Sequence, residues 1–153
     1  YKAYLCLQTA KFTFRNQHDD AKFSNKLQNT TNKLSKNSVK FKDTTMKKGK
    51  KTYTVQLTGL NKCIAKDKTF NTLYVDTNIK GKDKKKVTVT NVNVFFDGKK
   101  VKTIKKGVLT PDPGQTDGFV QLQIINMWNS RVAKFKYTMP KKTIKVTYTV
   151  KIK

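Results

Sequence analysis

The densest group of side chains able to bind a ligand lies in the segment FVQLQIINMWNS, residues 119–130. It contains two glutamines, two asparagines and the only tryptophan of the chain, namely Gln121, Gln123, Asn126, Asn129 and Trp128. Amide groups pair with the hydroxyls of a sugar, and an indole ring stacks on the apolar C–H face of a sugar ring. The segment is therefore a candidate surface for binding carbohydrate.

The orientation of these side chains depends on the strand that carries them. If residues 119–128 form one unbroken strand, alternation places Gln121 and Gln123 on the face opposite Asn126 and Trp128. We expect the two glutamines on an exposed face, where they would suit hydroxyl recognition. Trp128 has two interpretations, because a large aromatic side chain either fills a sandwich core or offers a platform to a ligand. Asn126 likewise either ends the strand or caps a turn.

A second candidate cluster is RNQHDD, at residues 15–20. Arg15, Asn16 and His18 have the donors needed to hydrogen-bond an acidic sugar. Asp19 and Asp20, with backbone carbonyls, offer the oxygen ligands that Ca²⁺ prefers, although their spacing matches no EF-hand loop. A structural calcium ion and a polar turn in which an aspartate caps a short helix are both open interpretations.

Tyr1, Tyr4, Tyr74 and Tyr137 are the remaining aromatic candidates. Tyr4 and Tyr74 each alternate with leucines in a predicted strand, so we expect both on exposed sheet faces. A face that mixes aromatic and amide groups is what a polysaccharide groove needs. An ordinary half-solvated sheet face carries the same pattern, so the sequence leaves the role of the two tyrosines open.

Residue types that catalysis and metal binding usually require are scarce. All nine acidic residues are aspartate, and His18 is the only histidine. Ser-His-Asp, Cys-His and multi-histidine arrangements therefore lack the imidazole groups that they need. Cys6 and Cys63 show no CxxC spacing, so we expect no metal there, while a disulfide and a buried free thiol are both open. The sequence predicts a protein without catalytic activity.

The charge of the chain is strongly positive. Its 34 basic residues against nine acidic ones give a formal net charge of +25, and all but Arg15 and Arg131 of the basic residues are lysine. This balance predicts a polyanionic partner, namely an acidic polysaccharide, a cell-wall polymer or nucleic acid. Contact with nucleic acid would be non-specific, because two arginines are few for reading base edges. The alternative is that codon usage places lysine at positions that need only be polar.

The elements that must position these residues are strands. In TYTVQLT (52–58) and IKVTYTVKIK (144–153), apolar residues alternate with threonine, glutamine or lysine. Such alternation is typical of strands with one buried and one solvated face. Helix formers are scarce, and only residues 19–37 leave room for a short helix or an ordered loop. The other predicted strands cover residues 2–9, 11–16, 38–44, 70–79, 87–97, 100–105 and 119–128.

Turn and bulge signals support this assignment. Asp97 and Gly98 lie between two β-rich runs, which is a strong hairpin signal. The apolar parity of VTVTNVNVFF (87–96) changes in the middle of the run, which predicts a β-bulge near Thr90 and Asn91. Lysine-rich runs fall at or between strand ends, where charge discourages edge-to-edge aggregation.

Short strands separated by turns, without helical crossovers, predict an all-β fold. We expect an antiparallel β-sandwich of about eight to ten strands, with jelly-roll topology, in which residues 1–153 form one domain. No apolar run approaches the roughly 18 residues of a spanning helix, so we expect no membrane insertion. The chain opens at Tyr1 rather than Met, which is expected of a processed chain or of a module from a longer protein.

Three segments carry a resemblance to a known group of modules. GKKTYTVQLTGL (49–60), VTVTNVNVFFDGKKV (87–101) and the terminal alternating strand resemble the jelly-roll carbohydrate-binding modules of secreted bacterial polysaccharide-degrading enzymes. The resemblance implies a monomeric extracellular module that binds carbohydrate without catalysis, on a sheet face or on loops at the sandwich edge. The high charge favours an anionic polysaccharide such as pectin. The alternative function is a structural or adhesive module that attaches a cell-surface protein to an anionic wall.

Overall fold

A computed structural model describes residues 1–14, 39–64, 66–111 and 118–153 of the chain. These ranges contain eleven strands, four of which have only two or three residues, and two short 3₁₀ helices. None of the helices in these ranges is long and apolar enough to cross a membrane. The strands are β1 Lys2–Thr9, β2 Thr13–Phe14, β3 Lys40–Lys42, β4 Thr44–Thr45, β5 Gly49–Thr58, β6 Phe70–Lys80, β7 Val87–Phe96, β8 Lys99–Lys106, β9 Val108–Thr110, β10 Phe119–Asn126 and β11 Ile144–Ile152, and the helices are η1 Leu60–Lys62 and η2 Gly81–Lys86.

The strands form two antiparallel sheets. Sheet A has the order β2-β1-β6-β10-β9, with β4 also paired to β1, and sheet B has the order β3-β5-β11-β7-β8. Their facing sides pack into one apolar core, which includes Leu5 and Val75 from sheet A and Val55, Val94 and Val146 from sheet B. The predicted all-β antiparallel sandwich is confirmed, and the jelly-roll topology stays a prediction.

The bulge predicted near Thr90 and Asn91 is present in β7. The register of β7 against β11 shifts between Thr147 and Thr149, where β7 contributes one extra residue. Asn91 has a φ of 51°, in the left-handed region that asparagine tolerates better than most residues. As a result, the valines before and after the bulge are all buried on the core side of the strand.

Asp97 and Gly98 form the predicted hairpin turn between β7 and β8. Their φ angles are 51° and 82°, both positive as a type I′ turn requires. The Asp97 carboxylate also accepts hydrogen bonds from three backbone N–H groups, those of Lys141 at 2.7 Å, Lys142 at 2.8 Å and Thr143 at 2.9 Å. The carboxylate therefore fixes the hairpin to the segment that enters β11.

Asp97→Asn is expected to lower the free energy of unfolding at pH 7 by about 1 kcal/mol. Asparagine tolerates the positive φ of this position but lacks the carboxylate charge. The expected loss is modest because Asp97 is exposed, so that water competes for the three N–H groups. Partial burial acts to raise the pKa of the Asp97 carboxyl, but the three backbone donors outweigh it and hold that pKa below its ordinary value. Such a carboxyl stabilises the fold above its unfolded-state pKa, and this contribution is lost as pH falls through the folded-state pKa. Urea unfolding at several pH values should show the difference shrinking below about pH 4.

Asp83→Asn is the matched control for this experiment. Asp83 pairs with Lys86 at 2.8 Å, and this hydrogen bond lowers the pKa of the Asp83 carboxyl as well. The Asp83–Lys86 pair is exposed and joins two side chains of one helical turn, so its loss should change stability less than the loss of the Asp97 contacts. If Asp97→Asn lowers the free energy of unfolding by the same amount at pH 7 and at pH 2, the charge of the Asp97 carboxylate does not contribute to stability.

Cys6 and Cys63 are both free thiols. Cys6 is fully buried and packs with Tyr4 and Tyr74, whereas Cys63 is partly buried directly after η1. The sequence left a disulfide and a buried free thiol open, and in the structure Cys6 is a buried free thiol that forms no disulfide with Cys63.

Candidate functional site

The side of sheet A that faces away from the core is buried. It carries Tyr4, Tyr74, Gln121 and Gln123, of which none is more than 4% exposed. The expectation that these four side chains lie on exposed faces is wrong. The reason is that β1, β6 and β10 are interior strands of sheet A and are buried on both faces, so their alternation separates two buried environments. These residues are therefore not directly available to a ligand in solution.

Trp128 lies beyond the end of β10, with 60% of its surface exposed. The unbroken strand expected over residues 119–128 is wrong, because β10 ends at Asn126 and its register against β6 shifts between Gln123 and Ile125. The extra residue brings the buried Asn126 to the same side of the strand as Gln123. The sequence left open whether Trp128 fills the core or is exposed to a ligand, and in the structure it is exposed.

Three amide side chains build the turn that holds Trp128. Gln123 Oε1 accepts hydrogen bonds from Asn126 Nδ2 at 3.3 Å and from Asn129 Nδ2 at 2.9 Å. Asn126 Oδ1 then accepts the backbone N–H of Trp128 at 3.0 Å, and Asn129 Oδ1 accepts that of Arg131 at 3.0 Å. The structure thus brings together four of the residues predicted to bind a ligand, and three of these, the amides, position Trp128 instead.

A groove of about 560 Å³ opens beside this turn, between the start of β6, the end of β10 and the segment 132–137. Met127 lines the groove and is 56% exposed, and Trp128 follows it in the chain. The other walls combine apolar and aromatic surface with ammonium groups. They include Phe70, Ile125, Val132, Phe135 and Tyr137, together with Lys68, Lys134 and Lys136.

Tyr137 is the centre of an aromatic wall of this groove. Its ring centroid lies 5.7 Å from that of Phe70 and 5.4 Å from that of Phe135, and its phenolic oxygen accepts the backbone N–H of Phe70 at 2.8 Å. Burial raises the pKa of the Tyr137 phenol, and the Phe70 N–H opposes this effect, so the phenol is neutral at physiological pH. Lys102 Nζ lies 5.7 Å from the Phe135 ring centroid, within cation–π range. The wall is therefore fixed and bordered by a cation.

Lys136 and Tyr137 also line a second groove of about 740 Å³ on the side of the β7–β8 hairpin. Lys99 and Lys100 lie in its lining, and so does Asp97, whose carboxylate oxygens already accept backbone N–H groups. The two grooves form a surface on which aromatic rings lie among ammonium groups. Such a surface can hold a carboxylated sugar chain, since rings stack on its C–H faces and ammonium groups attract its charges.

Part of this site was not identified from the sequence. Tyr137 is one of the aromatic candidates, but Lys134, Phe135 and Lys136 were not singled out. The available signal is the alternation of basic and aromatic residues in KFKY (134–137), which lies in a segment that belongs to no strand. Because the segment forms no strand, strand periodicity does not distinguish its residues from those of an ordinary loop.

The cluster formed by Arg15, Asn16, His18, Asp19 and Asp20 lies outside the described residues. Its interpretation as an acidic-sugar contact, and the interpretation of Asp19 and Asp20 as calcium ligands, stay predictions. Within the ranges that the structure describes, no group of three or more His, Cys, Asp or Glu side chains is placed to hold a metal ion.

Comparison of the chain with protein-family models, with curated proteins and with solved structures finds no match. The resemblance to jelly-roll carbohydrate-binding modules therefore stays a prediction.

Proposed function

We propose that this protein is a non-catalytic extracellular module that binds an anionic polysaccharide such as pectin or a cell-wall glycan. The observation that carries the proposal is Trp128, which is 60% exposed on a turn held by amide side chains. It directly follows Met127, a lining residue of a groove bordered by lysines. An indole exposed to this extent contributes little to core packing, and its flat face suits the C–H surface of a sugar ring.

The chemistry of the groove supports an acidic rather than a neutral sugar chain. Lys68, Lys134 and Lys136 border it and would contact carboxylates, while Phe135 and Tyr137 supply apolar wall. Lysine acts as a hydrated point charge, so these contacts attract the polymer without fixing its orientation. Stacking on Trp128 provides the orientation, and the partly buried aromatic wall keeps the groove in shape.

Trp128→Ala is expected to weaken the binding of polygalacturonate by about tenfold or more, because an aromatic anchor in a binding site typically contributes over about 1.4 kcal/mol. Isothermal titration calorimetry measures the affinity, and Trp128→Phe should retain part of it. Phe41→Ala is the matched control, because Phe41 is a 46% exposed aromatic residue on the edge strand β3 and lies outside both grooves. The affinity of the Phe41→Ala variant for polygalacturonate should equal that of the unmodified protein.

Two further measurements separate the contribution of indole stacking to affinity from that of lysine charge: the dependence on salt, and the binding of a polyanion without sugar rings. Affinity for polygalacturonate should fall between about 0.1 M and 1 M ionic strength, because the screening length falls from about 10 Å to 3 Å. Polyglutamate offers carboxylates without sugar rings, so its affinity should not change in Trp128→Ala. Full affinity for polygalacturonate at high salt would refute the role of the lysines, and an unaltered Trp128→Ala affinity would refute the role of the indole.

The alternative is a structural or adhesive module that holds a cell-surface protein to an anionic wall. The observation that favours it is the spread of exposed lysines along a whole edge strand, β8, where Lys99, Lys100, Lys105 and Lys106 are all exposed. This function predicts attachment to whole cell walls that does not depend on Trp128, and no saturable binding of a defined oligosaccharide.

A further inference from the structure

A third groove, bordered by lysines, lies at the other end of the sandwich, between η2 and the corner where β8 leads into β9. Its volume is about 410 Å³. Lys82, Lys84 and Lys85 of η2 and Lys106 at the end of β8 line it, and all four are exposed. None of the lining residues that the structure describes is acidic. The groove is therefore a concentrated positive site.

The geometry of η2 separates these lysines from its one carboxylate. In a 3₁₀ helix, residues three apart lie on the same side. Asp83 and Lys86 share one side and form an ion pair at 2.8 Å. Lys82 and Lys85 share another side. Asp83 thus pairs with Lys86 rather than with Lys82, Lys84 or Lys85, which have no ion-pair partner among the described residues.

The backbone that carries the groove lysines is fixed at both ends of η2. The N–H of Gly81 donates to the carbonyl of Gly118 at 3.0 Å, which joins η2 to the start of β10. The carbonyl of Lys86 accepts the N–H of Lys153 at 3.1 Å, which joins η2 to the end of β11. Gly107 forms part of the opposite wall. The groove is a built feature of the sandwich rather than a chance arrangement of one loop.

The charge of the groove determines what it can accept. Two unit charges about 8 Å apart repel each other by about 0.5 kcal/mol even in water, so four ammonium groups favour a multiply charged anion between them. We propose that this groove binds closely spaced phosphate or sulfate groups carried on a linear polymer. Lysine binds tetrahedral oxyanions as a point charge. A polymer with closely spaced phosphate or sulfate groups places more negative charge in a groove of about 410 Å³ than a polymer with one carboxylate per sugar ring.

This groove is separate from the one beside Trp128. Phe70 at the start of β6 lines the Trp128 groove, and Gly81, directly after the end of β6, lines the lysine groove. Eleven extended residues at about 3.3 Å each span about 36 Å, several times the screening length of about 8 Å at physiological ionic strength. The two sites should therefore act independently, and one molecule can hold two polymer segments at once.

The test compares two variants of the full chain that lose the same charge. K82Q/K84Q/K85Q/K106Q removes the groove lysines, and K40Q/K42Q/K62Q/K66Q removes four exposed lysines that lie outside every groove described above. Tripolyphosphate and a heparin oligosaccharide are titrated separately by calorimetry, so that the phosphate and sulfate arms show which group is preferred. We expect the groove variant to lose about tenfold or more in affinity for the preferred probe, against less than about threefold for the control.

The outcomes separate this inference from the proposed function. Trp128→Ala should leave the affinity for tripolyphosphate unchanged, because tripolyphosphate has no sugar ring to stack on an indole. Loss of polygalacturonate binding in Trp128→Ala therefore bears only on the Trp128 site. If the unmodified protein binds tripolyphosphate or heparin but not polygalacturonate, and the groove variant alone loses that binding, this inference is upheld and the proposed function is refuted. Equal losses in the two lysine variants would show that charge is diffuse and would overturn the groove as a site. Absence of binding by both probes would overturn it as well.

Discussion

Gly107→Ala is expected to lower the free energy of unfolding by about 1 to 3 kcal/mol, because the added Cβ would overpack the corner against two buried side chains. Gly107 lies where the chain leaves β8 in sheet B and enters β9 in sheet A. A Cβ at this position would lie 2.7 Å from Leu122 Cδ1 and 2.9 Å from Val89 Cγ1. Leu122 is 1% exposed and Val89 is β-branched, so neither side chain has room to turn away. The glycine N–H also donates to the Val89 carbonyl at 2.9 Å, which resists a backbone shift.

Gly81→Ala is the matched control for overpacking. The nearest atom to a Cβ at Gly81 is the carbonyl oxygen of Gly118 at 3.8 Å, which is an ordinary contact. We expect a change in unfolding free energy below about 1 kcal/mol in either direction. Urea unfolding followed by circular dichroism measures both variants. An unchanged midpoint for Gly107→Ala, or equal losses for both variants, would show that the corner is not closely packed.

Gln123→Met is the second substitution with a large expected effect, a loss of about 1 to 3 kcal/mol in stability together with a looser Trp128 turn. Methionine has nearly the length of glutamine but no strong acceptor, so Asn126 Nδ2 and Asn129 Nδ2 both lose the oxygen that they share. Gln123 is 2% exposed, so water does not replace that oxygen without opening the strand. Because Trp128 is the only tryptophan, its fluorescence anisotropy reports the mobility of the turn directly.

Gln121→Met is the control, since Gln121 lies two residues earlier on the same strand and is equally buried, at 1% exposure. It makes no contact with the Trp128 turn in the hydrogen bonds described above. We expect lower anisotropy of Trp128, and weaker polygalacturonate binding, in Gln123→Met only. Equal anisotropy in both variants would mean that the amide contacts do not hold the turn.

The Gln123 amide has a further feature that bears on this experiment. Its Nε2 atom is buried without a hydrogen-bond partner in the described part of the chain, whereas its Oε1 atom accepts two bonds. Burial of an unpaired donor opposes folding, so the two bonds to Oε1 must offset this cost. This offset is why the net loss expected for Gln123→Met is smaller than the sum of its two hydrogen bonds.

Most strands could be predicted from local sequence because their pattern is set by the core that they face. β11 has Ile144, Val146, Tyr148, Val150 and Ile152 on the buried side, and the structure buries all five. The bulge in β7 and the Asp97–Gly98 hairpin were predictable for the same local reason, since a change of parity and a positive φ leave direct traces in the sequence. The short strand β9 leaves no such trace, because three residues cannot establish a period.

The exposure of the predicted binding residues could not be read from alternation. Alternation separates the two faces of a strand, but it does not say whether the second face meets water or another layer of protein. Tyr4 and Gln121 look like solvent-facing residues by this rule, and both are buried. The bulge in β10 then changes the face of Asn126, because one extra residue inverts every side chain that follows it.

By itself, the sequence determined the strand content, the large excess of positive charge and the scarcity of groups that do acid–base or metal chemistry. These are properties of composition and of neighbouring residues, and no tertiary contact alters them. Only the tertiary structure decided which aromatic residue reaches solvent and which lysines surround a common groove. Those facts depend on residues that are distant in the chain, such as Lys68 and Lys134 beside Met127, or Lys84 and Lys106 across one groove, and they arise only when the sheets pack.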